Sequence, residues 1–378
     1  MHGFCDDRFD PLVDLLAAGI ESGRDLGASL AVMIGETMAV DLWGGWKDAD
    51  RTQPWEADTI TNVWSTTKTM TTLCALILVE RGLLDVHAPV SRYWPDFAAN
   101  GKAGIEVRHL LAHTSGVAFW EAPFELDDLY DWDRAVAQLA AQAPSWEPGT
   151  ASGYHSLNQG HLIGELVRRI DGRTLGRFFA DEIAGPLGAD FHIGLDPIHD
   201  HRVSNVVPPE PVEPDPDAAP FADFLAGKAP IIAADVAWTE AWRRAEIGAA
   251  NGHGNARSVA RIQSVIANGG RAVGADGSIV ELLSPRTIDL IFEEQAYGTD
   301  LVLGEIHRFG IGYGLPCPER TPELPDGRIC HWGGWGGSTI IVDVERNLTI
   351  AYMMNRMISG EAGDDRSEAL VRAIYALL

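Results

Sequence analysis

The chain has 378 residues, of which 46% are hydrophobic and 22% charged, so it can bury a sizeable core. Its 54 acidic and 29 basic residues give a formal charge of -25, which argues against nucleic acid and against an anionic membrane surface as partners. The stretch MHGFCDDRFDP has neither the basic nor the apolar segment typical of a signal peptide, and we expect none. No apolar run reaches the ~18 residues that a membrane span needs, and no C-x-x-C spacing occurs. We therefore expect a cytoplasmic protein with reduced thiols.

The first predicted elements are a helix and a β-hairpin. Apolar residues recur with helical spacing between Asp10 and Gly23. The apolar runs SLAVMIG and MAVDLWGG follow, and a short turn near Glu36 separates them. Two such runs joined by a short turn are typical of a hairpin.

The stretch NVWSTTKTMTTLCALILVERG, from Asn62 to Gly82, predicts a helix with Ser65 and Lys68 in its first turn. The i, i+3 spacing places both side chains on one face, and the helix start directs free N–H groups at the serine. Ser65 could then attack a carbonyl group, with the Lys68 amine as base. By itself, S-x-x-K fits an N-cap serine and a surface lysine better, and three later stretches change that balance.

From about Leu83 to Pro230 the pattern is mainly helical. LLAHTSGV ends a helix in a glycine turn, where we expect His113 to be structural. WEPGTASGYHSLNQG places Tyr154 after a Pro-Gly turn and before a helical run. The proline-rich stretch from Pro208 to Pro220 predicts an extended surface loop.

The last part of the chain returns to strands. HWGGWGGSTIIVDV, beginning at His331, is a glycine-rich entry to a strand. A polar turn at Glu345–Asn347 and a second strand follow, and an amphipathic helix covers about Asp365 to Leu378.

These elements predict an α+β fold with one antiparallel sheet built from early and late strands, flanked by helices, and a mainly helical subdomain. We assign residues 1–82 and 231–378 to the sheet subdomain and residues 83–230 to the helical one. The active site is expected at their junction.

Taken in order along the chain, the motifs resemble those of the serine β-lactamase / penicillin-binding-protein superfamily, on its class C side. The greatest likeness is to family VIII carboxylesterases. STTK matches the S-x-x-K element, YHS the Tyr-x-Asn element and HWG the Lys-Thr-Gly element. LLAHTSG, WEPGT, GNARSVARIQSVIANGG and LLSPRTIDLI also look like recurrent segments of that group, so the resemblance spans nearly the whole chain.

The resemblance implies a β-lactamase/transpeptidase-like fold and a covalent acyl-enzyme mechanism without a cofactor or metal. Ser65 would be the nucleophile, and Lys68 and Tyr154 would share the proton transfers, with Tyr154 the stronger candidate for the base. The oxyanion hole would consist of the backbone N–H groups of Ser65 and Gly334. Which of Lys68 and Tyr154 takes the first proton stays open.

Departures from the family pattern predict the substrate. The family's Asn is Ser156 here, its Lys is His331, and its Thr is Trp332, so a fixed cation for a substrate carboxylate is lost and an apolar wall is gained. These changes favour neutral acyl esters over anionic β-lactams. The residues predicted to bind substrate are Ser156, His331, Trp332, Gly333, Trp335 and Trp238.

The sequence therefore predicts a serine carboxylesterase for short-to-medium acyl esters, whose partner is a small-molecule ester. Three alternatives remain open: a β-lactamase, D-amino-acid peptidase or amide hydrolase with the same nucleophile, an acyltransferase, and a non-catalytic binding protein on this fold. The sequence does not fix the oligomeric state.

Overall fold

The computed structural model describes residues 1–210, 228–358 and 364–378. The predicted proline-rich loop falls mostly on residues 211–220, which lie outside the described residues.

The α-helices of the described residues are numbered in chain order. They are α1 Asp10–Ser22, α2 Thr67–Glu80, α3 Val107–Leu111, α4 Trp132–Ala141, α5 Asn158–Asp171, α6 Leu175–Phe179, α7 Gly185–Leu187, α8 Glu240–Arg244, α9 Ala256–Ala267, α10 Pro285–Ile291 and α11 Asp365–Leu377. None of them is long and apolar enough to cross a membrane.

The strands of the described residues are numbered in the same way. They are β1 His2–Cys5, β2 Gly27–Ile34, β3 Thr37–Gly45, β4 Ile60–Asn62, β5 Trp120–Glu121, β6 Phe191–His192, β7 Val203–Ser204, β8 Lys228–Ala229, β9 His253–Gly254, β10 Arg271–Val273, β11 Ile279–Glu281, β12 Ala296–Thr299, β13 Ile306–Phe309, β14 Ile329–Gly333, β15 Thr339–Asp343 and β16 Leu348–Met354.

The main sheet has the order β1-β3-β2-β16-β15-β14 in the described part of the chain, and all its neighbours are antiparallel. Strand β16 lies between β2 and β15, so the block of early strands and the block of late strands meet at the centre of the sheet. Both predicted hairpins are present, as β2–β3 and β15–β16. The α+β prediction is confirmed.

Helices cover both faces of this sheet, which explains why β2 is buried along almost its whole length. Leu12 and Leu16 of α1 and Ile374 of α11 pack on one face. On the other face, Val259 and Ile266 of α9 join a larger core that extends into α2 and α5.

A smaller sheet of order β6-β9-β4-β7 joins the two regions assigned as subdomains. Strands β4 and β9 belong to the predicted sheet subdomain, whereas β6 and β7 belong to the predicted helical one. Since β4 leads directly into the turn that carries Ser65, this small sheet anchors that turn between the two regions. The division of the chain into these subdomains stays a prediction.

Candidate active site

Ser65 lies in a 3₁₀ turn, Trp64–Thr66, that continues into α2. The side chain of Lys68 is one turn further on, and its Nζ atom is 3.1 Å from Ser65 Oγ. This contact is the one that the i, i+3 spacing favours. Ser65 is 9% exposed to solvent and Lys68 is fully buried, so the amine approaches the hydroxyl from inside the protein.

The buried Lys68 amine has further oxygen partners. Its Nζ atom is 2.8 Å from the carbonyl oxygen of Ser156 and 2.9 Å from that of Ala249. Two carbonyl acceptors fix two of its N–H bonds, so the remaining tetrahedral position on the nitrogen is directed at Ser65 Oγ. The protonated amine donates there, whereas the neutral amine presents its lone pair.

Tyr154 lies beside this pair and is largely buried. The centroid of its ring is 4.8 Å from Lys68 Nζ. On its other sides the ring contacts His113, at a centroid distance of 4.8 Å, and Trp332, at 6.2 Å. The structure thus brings together Ser65, Lys68 and Tyr154, which the sequence places in three separate motifs.

Asp300, which the sequence did not single out, and His113, which it predicts to be structural, hold the backbone around Tyr154 in place. Asp300 is fully buried, and its Oδ1 atom accepts the backbone N–H of Tyr154 at 3.0 Å, as well as those of Val302 and Leu303. His155 donates its backbone N–H to His113 Nδ1 at 3.0 Å. Burial holds the pKa of His113 well below its usual range, so the ring remains neutral and its Nδ1 atom remains an acceptor.

We expect Asp300→Ala to lower kcat for p-nitrophenyl butyrate by about 10²-fold, because the Tyr154 backbone loses its anchor and misplaced catalytic groups cost rates of this order. Asp300→Asn keeps one oxygen acceptor, so we expect its kcat to lie between that of Asp300→Ala and that of the parent. Steady-state kinetics with thermal melting separates loss of kcat from loss of fold. A folded Asp300→Ala variant with the parental kcat would contradict this positioning role.

Trp64, directly before Ser65, has a backbone conformation that L-residues adopt rarely. Its φ angle is 49°, in the left-handed region, where a bulky side chain is strained. Ring contacts with Trp242 at 5.6 Å and Trp335 at 5.0 Å hold it there. No local sequence signal indicates this, because glycine or asparagine would be the usual residues in that region.

The prediction that the Gly334 N–H group is an oxyanion donor is wrong. Its N–H donates to the Ser338 carbonyl oxygen at 2.8 Å, across the turn between β14 and β15. What Gly334 provides is space: a Cβ atom there would overlap Val63 O and Ser338 Oγ and would lie 3.2 Å from Ser65 N. The next amide, Trp335 N–H, donates to no group in the described residues, and the same holds for Ser65 N–H.

Hydrogen bonds tie this turn to the turn that carries Ser65. Ser338 Oγ donates to Val63 O at 2.8 Å and is 2.9 Å from Thr66 Oγ1. From the other side, Arg366 at the start of α11 donates to Gly336 O at 2.9 Å and pairs with Asp25 at 3.0 Å. The relative position of the two turns is therefore held by side chains far apart in the sequence.

His331, which the sequence predicts to bind substrate, lines a cleft together with Tyr154 and Trp332, and its role there stays a prediction. Adjacent residues of a strand point to opposite faces, and Trp332 is the one beside Tyr154. The His331 Nε2 atom is instead 3.3 Å from Leu315 O, and burial lowers the pKa of His331 to about 4, so its ring is neutral.

The remaining predicted substrate residues differ in where they lie. Ser156 is at the site, although its shown contact is the carbonyl oxygen that binds Lys68. Gly333 lines a cleft together with Tyr154 and Trp332. Trp238 is 47% exposed and donates its indole N–H to Val206 O.

Comparison with known proteins is consistent with these motifs. The family model described as Beta-lactamase matches residues 12–373. The chain belongs to the Beta-lactamase family.

Relatives of this Beta-lactamase family member include named esterases. "Esterase/beta-lactamase LipL" of Mycobacterium tuberculosis (strain ATCC 25618 / H37Rv) is 33% identical over 371 residues, which cover 95% of this chain and 84% of that protein. "Esterase EstB" of Burkholderia gladioli is 27% identical over 374 residues, with 88% and 86% covered.

Among solved structures, a family VIII carboxylesterase superimposes with a TM-score of 0.91 at 38% identity, covering 100% of this chain and 99% of that one. A penicillin-binding protein homolog from Caulobacter crescentus gives 0.88 at 36% identity, with 100% and 99% covered. The protein is thus a Beta-lactamase-family hydrolase with esterase homologues.

Proposed function

We propose that the protein is a serine carboxylesterase that hydrolyses short-to-medium acyl esters through an acyl-enzyme on Ser65. The observation that carries the proposal is the 3.1 Å contact between Lys68 Nζ and Ser65 Oγ. A serine hydroxyl next to a buried amine can lose its proton as it attacks a carbonyl carbon.

In the acylation step, Ser65 Oγ forms a bond to the ester carbonyl carbon while its proton passes to Lys68 or Tyr154. The carbon–oxygen bond to the alcohol then breaks, and the alkoxide takes up that proton and leaves as the alcohol. A water molecule repeats the sequence on the acyl-enzyme, which releases the acid and restores the Ser65 hydroxyl.

The negative charge on the carbonyl oxygen would be stabilised by the N–H groups of Ser65 and Trp335. Both amides lack acceptors in the described residues, and the ring contact between Trp64 and Trp335 holds the two turns together. Preorganised donors of this kind contribute about 2.7–4 kcal/mol each to the transition state. Trp335 here takes the role that the sequence assigned to Gly334.

The surroundings favour neutral esters. The side chain that faces Tyr154 from β14 is the indole of Trp332, and the neighbouring His331 is neutral. A charged hydrogen bond to a substrate carboxylate, which would contribute about 1.5–3 kcal/mol, has no counterpart at these two positions. The esterase names of the relatives support the same substrate class.

A β-lactamase, peptidase or amide-hydrolase activity on the same nucleophile is the second candidate, since one relative is named an esterase/beta-lactamase. An acyltransferase would share the acyl-enzyme and differ only in the acceptor.

A panel of p-nitrophenyl esters of increasing acyl length, run beside nitrocefin and a D-Ala-D-Ala peptide, tests the proposal. We expect kcat/KM to be highest for short-to-medium esters, and we expect intact-mass analysis to show one fluorophosphonate adduct, located on Ser65 by peptide mapping. Higher kcat/KM for nitrocefin or the peptide would replace the esterase assignment. A protein that neither turns over esters nor takes up the label would refute the nucleophile itself. Product analysis with added alcohols distinguishes transfer from hydrolysis.

A further inference from the structure

A cleft beside Tyr154 extends beyond the candidate site. It is lined by Tyr154 and Trp332 and also by residues outside the site, among them Phe309, Leu315 and Glu323. We call it the side cleft. Its walls are mainly apolar, and the Phe309 and Trp332 rings are 5.8 Å apart, so part of a substrate can pack there against aromatic faces.

The charges around the side cleft are unevenly compensated. The guanidinium groups of Arg308 and Arg320, which also line it, already pair with Glu294 at 2.7 Å and Glu305 at 2.8 Å. Glu323 has no ion-pair partner in the described residues, and its Oε2 atom is buried without a hydrogen-bond donor there. In the described residues the cleft therefore has a carboxyl group without an ion pair, whereas both of these guanidinium groups have one.

A carboxylate that is withdrawn from water without a cation is costly. Burial accordingly raises the pKa of Glu323; the nearby Glu368 acts in the same direction, whereas Arg372 and Arg320 act against it without forming an ion pair with Glu323 in the described residues. A ligand cation would remove this cost by supplying the missing charge. Such a cation would also be attracted to the faces of Trp332 and Phe309.

We propose that the side cleft binds a cationic, quaternary-ammonium-like group on the non-reacting end of an ester substrate, and that Glu323 determines this specificity. The inference rests on the proposed esterase function and narrows its substrate class. It predicts discrimination between two esters of the same size and shape that differ only in charge.

The test compares p-nitrophenyl esters that end in trimethylammonium with isosteres that end in tert-butyl, over linkers from propylene to heptylene. Each kcat/KM is divided by the rate of alkaline hydrolysis of the same ester, which removes intrinsic reactivity. For at least one linker we expect the cationic ester to be favoured about tenfold, as a partly exposed charge pair and a cation–π contact together allow.

Glu323→Gln is expected to abolish this preference and to leave hydrolysis of the tert-butyl esters unchanged. Glu281→Gln, an exposed site on β11, serves as the matched control and should retain the preference. Equal rates for the parent with both ester types at every linker length would overturn the inference, and so would a preference that survives in Glu323→Gln.

The parent enzyme alone decides the matter if Glu323→Gln does not fold, since its charge preference is measured without a variant. Hydrolysis of the neutral esters without any preference leaves the esterase assignment standing and removes only the cation site. Absence of hydrolysis for both ester types overturns the two proposals together.

Discussion

Ser65→Ala is expected to lower kcat/KM for p-nitrophenyl butyrate by at least about 10⁴-fold, a loss within the range measured when a serine hydrolase loses its nucleophile. In the proposed mechanism this hydroxyl forms the covalent bond, and Lys68 Nζ lies 3.1 Å from it. Residual activity would come from the oxyanion donors and substrate binding. The fold should persist, because the change removes a single oxygen atom with one side-chain contact in the described residues.

Kinetics should be measured beside thermal melting, with Ser22→Ala as the control. Ser22 ends α1, is exposed, and lies outside the proposed machinery. A Ser65→Ala protein that hydrolyses the ester at the parental rate would refute the nucleophile, whatever the control shows.

The second large effect is expected for Gly334→Ala. A Cβ atom at this position would overlap Val63 O and Ser338 Oγ, and the backbone on either side has no room to retreat because both turns are tied by hydrogen bonds. We expect a loss of about 1–3 kcal/mol in the free energy of unfolding, typical of overpacking. Displacing the Trp335 amide should also lower kcat by about 10²–10³-fold.

Gly104→Ala is the matched control, because a Cβ atom at Gly104 meets nothing within 4 Å and its φ angle lies outside the strained region. Urea unfolding and steady-state kinetics on both variants give the comparison. If Gly334→Ala keeps the parental kcat, the turn does not supply an oxyanion donor, and the role proposed for Trp335 fails.

Local patterns in the sequence predicted the fold well where the chain alternates or repeats strongly. The hairpins β2–β3 and β15–β16 follow from apolar runs joined by short polar turns, and α11 from its helical period. The juxtaposition of Ser65 and Lys68 follows from helix geometry alone. These features depend on neighbours within a few residues.

The third motif shows where such local reasoning ends. HWGGWGG contains four glycines, so no alternation of apolar and polar residues fixes which side chains face the site. The prediction placed an oxyanion donor at Gly334, whose N–H donates to Ser338 O within the turn, and the donor that we propose instead is one residue further on, at Trp335. Pairing with β15, a long-range contact, sets the register in the structure.

The role of Asp300 is a second feature that the sequence could not predict. This residue binds the backbone of Tyr154 from a position 146 residues further along the chain, and nothing near it in the sequence indicates that contact. The sequence also gives no signal for the left-handed conformation of Trp64, because packing against two other tryptophans imposes it. Supporting residues of this kind are visible only once distant segments are brought together.

The bond from Ser338 to Val63 joins positions 275 residues apart, and Arg366 completes the same assembly from still later in the chain. On the ribosome, the proposed nucleophile Ser65 therefore emerges long before Trp335, the residue that we propose as an oxyanion donor. The edge of β2 in the β2–β3 hairpin stays unpaired until β16 is synthesised. An unpaired strand edge can bind chaperones or start aggregation. Hydrolytic competence should then arise abruptly, near the end of translation, and a nascent chain arrested before Arg366 should carry the serine without the activity.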